Sequence, residues 1–356
     1  MSRKICFFNS FFTEHGQERA NFAERFLPRD SDLFILTRSG ENKYKLRKTK
    51  VIEISGNKLK LIFRLRKFCR KEKIDILLNL GNPQEAYALF FATLLTKTKY
   101  VVNIVGDIWN RPKVQKKLKD KIFLHIQNLF FPLSFIFSKK IVLPPGDIEF
   151  LTKKYFPFLK RKIMAIPLIM DESLFHSKNK RASRKKLGLP LKKEIILFVG
   201  RIDYLKGSDI LLSLIKKNPK RFFILIGKIL DKNFLKERFK NVSLVPFLDN
   251  RKKLVEYYNS ADLLIHPSRT EGNPLVPREA MLCETPALVS RISSLRLIKQ
   301  AFKANLDSED MQKKIDEFFS LSKEQRKQIG EVNRQSIIDE TSYKHLSKLH
   351  KEAIIG

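Results

Sequence analysis

The chain has 356 residues but only three cysteines, Cys6, Cys69 and Cys283. Their number is odd and their spacing is not that of metal ligands, which argues against both a disulfide framework and a zinc site. A reducing, cytoplasmic environment is therefore expected. The start of the chain also lacks the pattern of a secretory signal. The longest uncharged run, 122–138, is shorter than the roughly 20 mainly apolar residues of a membrane-spanning helix.

Acidic residues are scarce relative to basic ones. There are 71 Lys and Arg against 37 Asp and Glu, which gives a formal net charge of +34. The excess is largest in 43–73 and 111–162, where basic residues outnumber acidic ones 13 to 2 and 13 to 3. This asymmetry favours an adhesive face for nucleic acid, an anionic membrane or a phosphorylated substrate, and a lysine-rich solvated surface is the alternative. No nucleic-acid motif supports the first of these partners.

Short apolar runs alternate with amphipathic stretches, a pattern that predicts parallel α/β units. The predicted strands are 4–8, 33–36, 74–80, 100–105, 140–143, 163–167, 194–199, 221–226, 242–245, 263–266 and 287–290. We therefore predict an α/β protein with two doubly wound, Rossmann-like domains at 1–170 and 194–335. A basic linker at 171–193 would join them, and a C-terminal helix at 336–356 would follow.

Two cations follow the strand predicted at 194–199. Gly200-Arg201 ends this strand, and Lys206-Gly207 lies in the loop beyond it. Ligands of open α/β sheets bind beyond the carboxyl ends of strands. Arginine can hold a diphosphate bidentately and lysine adds a point charge, so the pair suits a diphosphate, although two cations among 71 can also coincide by chance.

Two glutamates follow the strand predicted at 263–266. Glu271 lies in a turn-rich loop, and Glu279 lies in a helix that begins at about Leu275. A helix N-terminus attracts anions, and a carboxylate accepts hydrogen bonds from sugar hydroxyls. His266 is a further candidate here, although a single histidine is more often structural.

Together these stretches resemble the donor site of glycosyltransferase family four, whose members are retaining enzymes of the GT-B fold. The ordered set that carries the resemblance is Gly200-Arg201, Lys206-Gly207, Pro267-Ser268, Glu271, Glu279, Ala280-Met281 and Pro286. Weaker similarity covers nearly the whole chain. The resemblance implies two Rossmann-like domains facing across a cleft, with the last helix packing back on the N-terminal domain.

The resemblance also implies roles for individual residues. Arg201 and Lys206 would bind the donor diphosphate and stabilise the leaving group, and Glu271 would lie beside the donor sugar as the third catalytic residue. Glu279 would hold the ribose hydroxyls. The other donor-binding residues would be Gly16, Gln17, Gly200, Asn273 and Leu275.

The acceptor side is less well defined. Gly106 stands where the family often has a histidine, and Asp107 after it either orients the acceptor or caps the loop. Trp109 either stacks on an acceptor sugar or packs in the core, and His15 is a further acceptor-side candidate. Pro274 stands where glycine is common and removes one N–H donor.

The resemblance implies a metal-independent hexosyltransferase that uses a UDP- or GDP-linked sugar and no cofactor. The acceptor would be a glycan or lipid-linked molecule in lipopolysaccharide, O-antigen or capsule biosynthesis. The basic N-terminal domain would hold the enzyme peripherally on the inner face of the cell membrane, without a nucleic-acid partner. A catalytically inactive GT-B scaffold and a polyanion- or nucleic-acid-binding protein on that fold are the alternatives.

Overall fold

The computed structural model describes residues 3–9, 24, 27–28, 30–38, 49–54, 56–83, 85–115 and 117–356. The chain forms two compact units, each built around one parallel sheet. The first unit combines Met1–Ile169 with Tyr343–Gly356, and the second is the continuous segment Met170–Ser342.

The first unit contains a seven-stranded parallel sheet in the order β3-β2-β1-β4-β5-β6-β7. Its strands β1 to β7 are Lys4–Asn9, Asp32–Arg38, Lys50–Ile54, Ile76–Asn79, Lys99–Asn103, Lys140–Leu143 and Ile163–Ala165. Its helices α1 to α4, and the last helix of the chain, α13, are Lys58–Lys71, Glu85–Thr93, Leu118–Ile136, Asp147–Tyr155 and Tyr343–Ile355. Side chains of β1 point alternately to the two faces, so Cys6 and Phe8 join the core beneath α1 to α3. Ile5 and Phe7 join a second core that α13 completes with Leu346.

The second unit contains a six-stranded parallel sheet in the order β10-β9-β8-β11-β12-β13. Its strands β8 to β13 are Ile195–Val199, Phe222–Ile226, Val242–Val245, Leu263–His266, Ala287–Ser290 and Phe302–Ala304. Its helices α5 to α12 are Lys180–Lys186, Ser208–Lys217, Lys232–Leu235, Arg251–Ser260, Leu275–Leu282, Ser293–Arg296, Ser308–Ser320 and Lys323–Glu340. Both faces of the central strand β8 are buried, which explains its uninterrupted apolar sequence.

The segment 171–193, predicted to be a basic linker, is instead part of the second unit and contains α5. Asn179 caps this helix by accepting from the amide of Ala182 at 2.9 Å. The buried Arg184 donates to the Ser260 carbonyl at 2.8 Å and pairs with Asp262 at 2.7 Å. Several basic residues of the segment 171–193 therefore form ion pairs with the rest of the second unit. The segment is not the solvated linker that its composition predicts.

The boundary predicted at 335 also falls elsewhere. Helix α12 continues to Glu340, and the second unit ends at Ser342. The helix α13 that follows belongs to the first unit. The guanidinium of Arg3 in that unit donates to the carbonyl of Ile355 at 2.7 Å.

Glu256 on α8 holds the segment 171–193 in place. The effect of protonating its carboxylate on stability can be measured. Its carboxylate accepts from Lys178 and Lys186 at 2.9 Å each and from Ser183 at 2.9 Å. Burial alone would raise the pKa of Glu256, but these donors outweigh it and lower the pKa from 4.5 to about 2. A depressed folded-state pKa stabilises the fold above the unfolded value, and this contribution is lost as the pH falls from about 4.5 towards 2.

We therefore expect Glu256→Gln to reduce the free energy of unfolding by about 1–2 kcal/mol at pH 7. The difference from wild type should shrink as the pH approaches 2. Urea unfolding at a series of pH values measures this, with Glu317→Gln on the exposed side of α11 as the control. A constant difference across that pH range would contradict the assigned role.

Helix α3 presents two different faces. Phe131 and Phe135 are buried in the core of the first unit, whereas Phe123, Ile126 and Leu129 are 54%, 51% and 75% exposed. The uncharged run is thus both a core element and an apolar surface. No helix in the described part of the chain has the length and apolar character needed to cross a membrane.

Candidate active site

The two loops singled out by the sequence meet at the carboxyl edge of the second sheet. Strands β8 and β11 are hydrogen-bonded neighbours, so the loops that follow them leave the sheet side by side. Gly207 has φ +76° and lies so close to the second loop that a Cβ there would overlap the Pro267 carbonyl oxygen. Glycine is therefore required at this crossing, because no side chain fits and the left-handed conformation disfavours other residues.

Arg269 ties the same two loops together. Its guanidinium donates to the Tyr204 carbonyl at 2.7 Å and grips both oxygens of Asp209 at 2.8 and 2.7 Å. It also lies 3.8 Å from the centre of the Tyr204 ring. Bidentate pairing and ring stacking fix an arginine in one orientation, so the loops are rigidly held.

Glu271 is the centre of a cluster of donors. Its Oε1 contacts Lys206 Nζ and accepts hydrogen bonds from Ser268 Oγ at 2.7 Å. His266 Nε2 lies 2.7 Å from the same oxygen, while its Nδ1 is buried and has no partner in the described part of the chain. Oε2 of Glu271 makes no hydrogen bond to a described residue, which leaves one carboxylate oxygen to serve a ligand.

The charge state of Glu271 follows from these contacts. Burial by itself would raise the pKa of this carboxyl, but the charge of Lys206 and then the contact with His266 outweigh burial. The pKa lies well below its usual range, so Glu271 is an anion at any physiological pH.

Glu279 is held by a second, separate set of partners. This residue of α9 is almost fully buried, and Arg251 Nη2 donates to its Oε1 at 2.8 Å. Tyr258 donates to its Oε2 at 2.7 Å. Burial, and next the negative charge of Glu279, raise the pKa of Tyr258, so its hydroxyl stays a donor. The Arg251 guanidinium in turn lies 4.7 Å from the centre of the Phe175 ring. The carboxylate of Glu279 is thus fixed before any ligand arrives.

Arg201 differs from these buried groups. Its side chain is 51% exposed, and its Nη2 is 3.2 Å from Asp203. Asp203 also caps the short turn Tyr204–Lys206 by accepting from the amide of Lys206 at 3.0 Å. The loop after β8 therefore carries one solvent-facing guanidinium, Arg201, and one partly buried ammonium, Lys206.

The helix α9 begins without a side-chain cap, because Pro274 occupies the N-cap position. Asn273 before it is held by Arg278 Nη1, which lies 3.2 Å from the Asn273 amide oxygen and 3.0 Å from the Pro274 carbonyl. Uncapped first-turn N–H groups at Leu275 and Val276 attract an anionic or hydroxyl ligand. Of the predicted donor-binding residues, Asn273 and Leu275 lie at the start of α9, and Gly200 directly follows β8.

The residues predicted on the acceptor side lie in the first unit or outside the described residues. Asp107 Oδ1 accepts from the backbone amides of Trp109 and Asn110 at 3.2 and 2.9 Å, so it caps its loop. The Trp109 indole donates to Thr152 at 2.8 Å and packs edge-on against Tyr155. These contacts are those of a loop cap and a packed ring. His15, Gly16 and Gln17 lie outside the residues that the structure describes.

A cavity of about 350 Å³ opens beside this capped loop of the first unit. Gly106 and Asp107 line it with Arg111, Asp120 and Phe123. Its described lining thus combines two aromatic rings, one cation and two carboxylates, which suits a polar ligand with an apolar part.

Sequence reasoning missed Arg251 and Tyr258, which orient Glu279. Both come from α8, far from the motifs in sequence, and no local pattern marks them. The pair Tyr257-Tyr258 is visible in the sequence, but aromatic residues on a helix usually indicate core packing and do not point to a site.

The residues of this site lie in a region that is similar to a known protein family. Residues 179–336 match the family described as Glycosyl transferases group 1. This segment of the chain is therefore similar to that family, and the resemblance found in the sequence is confirmed.

Two curated relatives share this region. A D-inositol 3-phosphate glycosyltransferase from Segniliparus rotundus is 30% identical over 156 residues, 40% of this chain and 34% of that protein. The match thus spans about a third of the length of that relative. An uncharacterized 41.2 kDa protein in the cps region of Klebsiella pneumoniae is 31% identical over 216 residues, 58% of this chain and 57% of that protein.

Solved structures extend the likeness to the whole chain. Sucrose-phosphate synthase from Thermosynechococcus elongatus aligns with a TM-score of 0.80, 14% identity and 98% coverage of each chain. Anabaena HepE in complex with UDP and glucose aligns with a TM-score of 0.78, 14% identity and 98% coverage of each chain. At such identities the likeness shows the fold alone, and that fold is GT-B.

Proposed function

We propose that this protein is a retaining glycosyltransferase that moves a sugar from a UDP- or GDP-linked donor to a glycan or lipid-linked acceptor. The observation that carries the proposal is the pair of oriented carboxylates, Glu271 and Glu279, at the carboxyl edge of the sheet in the segment similar to the glycosyl transferases group 1 family. A binding scaffold without donor chemistry has no use for two buried carboxylates fixed by separate sets of donors.

In this proposal the loop after β8 holds the donor diphosphate. Arg201 offers an exposed guanidinium, and Lys206 has three N–H donors, of which Glu271 uses one. Their two positive charges stabilise the diphosphate as it leaves, so we propose that no metal ion and no cofactor are needed. Such preorganised charges are the main catalytic device of a site of this kind.

The two glutamates take different parts of the donor. Glu279, already bound by Arg251 and Tyr258, has lone pairs left for the two ribose hydroxyls. Glu271 directs Oε2 towards the donor sugar, where a fixed anion favours the positive charge that develops at the sugar carbon. HepE binds UDP and glucose in its crystal structure, and this supports a UDP-sugar as the first donor to test.

The cavity beside Asp107 is the proposed acceptor pocket, with Trp109 behind it as a packed support. We propose a role in capsule, lipopolysaccharide or O-antigen biosynthesis, and the relative from the cps region of Klebsiella pneumoniae supports the first of these. The fold by itself does not select an acceptor, because sucrose-phosphate synthase shares it.

Thermal shift tests the donor site directly. The protein is heated with UDP-, GDP-, ADP- and CMP-sugars, and a ligand at about 100 times its Kd should add about 2.7 kcal/mol of stability. We expect one nucleotide class to raise the Tm, and Glu279→Gln to abolish that shift. The exposed Glu317→Gln serves as the control and should retain it.

The outcome separates the proposed enzyme from its alternatives. A shift that persists in Glu279→Gln would remove Glu279 from the nucleotide site. No shift from any nucleotide sugar would favour an inactive GT-B scaffold or a polyanion-binding protein.

We further propose that the first unit binds the inner face of the cell membrane through α3. Its exposed apolar residues share the helix with Lys119 and Lys121, and Lys117 directly precedes it. Apolar side chains enter the interface while lysines contact anionic head groups, each at roughly 1 kcal/mol. This charge complementarity supports an anionic lipid surface as the proposed partner.

Vesicle binding tests this surface. We expect Lys117→Gln/Lys119→Gln/Lys121→Gln to weaken binding to phosphatidylglycerol vesicles roughly 100-fold, given about 1 kcal/mol for each charge. The matched control is Lys344→Gln/Lys348→Gln/Lys351→Gln on α13, which removes the same charge elsewhere in the unit. Equal losses in both variants would mean that α3 is an ordinary solvated face.

A further inference from the structure

The second unit contains a large cavity at the edge of its sheet opposite the candidate active site. Glu194, Asp262 and Pro286 line it, and these residues directly precede β8, β11 and β12. The cavity thus lies at the amino ends of three neighbouring strands. Its volume of about 780 Å³ is within the range of ordinary ligand sites, which extends from about 300 to 1,000 Å³.

The lining of this cavity is strongly basic. It contains eight lysines and arginines and three acidic residues. The acidic residues are already engaged: Asp262 pairs with Arg184 at 2.7 Å, and Glu284 accepts from Ser177 at 2.7 Å. Glu194 accepts from Arg221 at 2.9 Å. Even with these pairs counted, the lining holds more basic than acidic side chains, so the walls carry a net positive potential.

Several of the cations lack a counter-ion. Lys192, Lys193 and Lys323 make no ion pair within the described part of the chain. Arg326 reaches Glu194 only at 3.9 Å, and its buried Nε has no hydrogen-bond partner among the described residues. The lining therefore contains positive charges that no described carboxylate balances, and an anion in the cavity would balance them.

Hydrogen bonds fix the backbone segments that carry these cations. Arg184 Nη1 donates to the carbonyls of Leu191 and Lys193 at 3.1 and 3.0 Å and so fixes the loop that carries Lys192. Lys323 is the first residue of α12, whose start is closed by the capping box of Ser322 and Gln325. The positive end of this 18-residue helix adds to the potential in the cavity.

We propose that this cavity binds a phosphate-bearing anion independently of the active site. Lysine ammonium groups and an arginine fork are the donors that phosphate oxygens prefer, and the cavity is large enough for several phosphoryl groups. A soluble phosphate ester and a phospholipid head group share this chemistry. The proposed donor residues lie at the opposite edge of the sheet. A soluble phosphate ester bound in the cavity would therefore act as an effector, and a phospholipid head group would tether the protein to a membrane.

The test measures pyrophosphate binding by isothermal titration calorimetry at 150 mM salt. Arg201→Ala is present throughout, so that binding at the proposed donor site is weakened. In this background the cavity variant is Lys192→Gln/Lys193→Gln/Lys323→Gln. The matched control is Lys220→Gln/Lys299→Gln/Lys313→Gln, three exposed lysines of the same unit outside the cavity lining.

We expect saturable binding that the cavity variant weakens at least tenfold and the control changes less than twofold. Arg326→Lys, which keeps the charge but loses the fork, should weaken it several-fold. If the ligand is a lipid head group, phosphatidylglycerol vesicles will show the same difference between the two triple variants while pyrophosphate binds poorly. Equal losses in the cavity and control variants with both probes, or no saturable binding of either probe, would overturn the proposal.

Discussion

Replacing Arg201 with alanine is expected to lower kcat by roughly 10²–10³, the usual cost of removing one preorganised donor to a developing charge. Its side chain is half exposed, and its one ion pair among the described residues is the 3.2 Å contact with Asp203, so the substitution should not disturb the fold. The loss should therefore appear in turnover with little change in Tm. Steady-state kinetics with the donor found by thermal shift provide the measurement.

Arg181→Ala is the matched control for this prediction. Arg181 is an exposed arginine on α5, at the amino edge of the same sheet. Its removal lowers the net charge equally but leaves the carboxyl edge intact. Turnover of Arg201→Ala within threefold of this control would place Arg201 outside the reaction.

Gly207→Ala is expected to destabilise the second unit by about 2–5 kcal/mol. Alanine is strained by roughly 1–2 kcal/mol at φ +76°, and overlap with the Pro267 carbonyl adds about 1–3 kcal/mol. The two loops would have to separate, which would pull Lys206 away from Glu271. Equilibrium unfolding in urea measures the first effect, and the ligand-induced thermal shift measures the second.

Gly188→Ala separates backbone strain from overlap. Gly188 has φ +65°, but a Cβ there meets nothing within 4 Å. This variant should lose only the roughly 1–2 kcal/mol of left-handed strain and keep its response to donor. Equal destabilisation by both substitutions would show that the close approach to Pro267 is unimportant.

The sequence was sufficient for most of the sheet architecture. All eleven predicted strands are present with ends shifted by at most two residues, because strands buried on both faces are short continuous apolar runs. It missed β3 and β13, each of which is one of the two edge strands of its sheet. Lys50–Ile54 lies within a basic stretch, and Phe302–Ala304 has only three residues, so neither shows the apolar signal of a central strand.

The candidate site was predictable only where it is local in sequence. Glu271 and Glu279 belong to one loop and the helix after it, and their spacing is visible in the sequence. The partners of Glu279 are not, because Arg251 and Tyr258 reach it from α8 through the packing of that helix against α9. The segment around Arg184 was misjudged for a similar reason: composition reports charge, whereas pairing with Asp262 depends on distant residues.

The position of α13 has a consequence for how the chain acquires its structure during synthesis. The second unit is continuous in sequence and can complete its core once residue 342 has left the ribosome. The first unit cannot, because Ile5 and Phe7 share a core with Leu346 and Ile354 from the last helix. The first strand, β1, cannot complete its packing until residues of α13, more than 300 positions later, have been synthesised. Contacts of such separation form slowly. A C-terminal fusion that delays docking of α13 would therefore expose the first unit to aggregation while leaving the second unit folded.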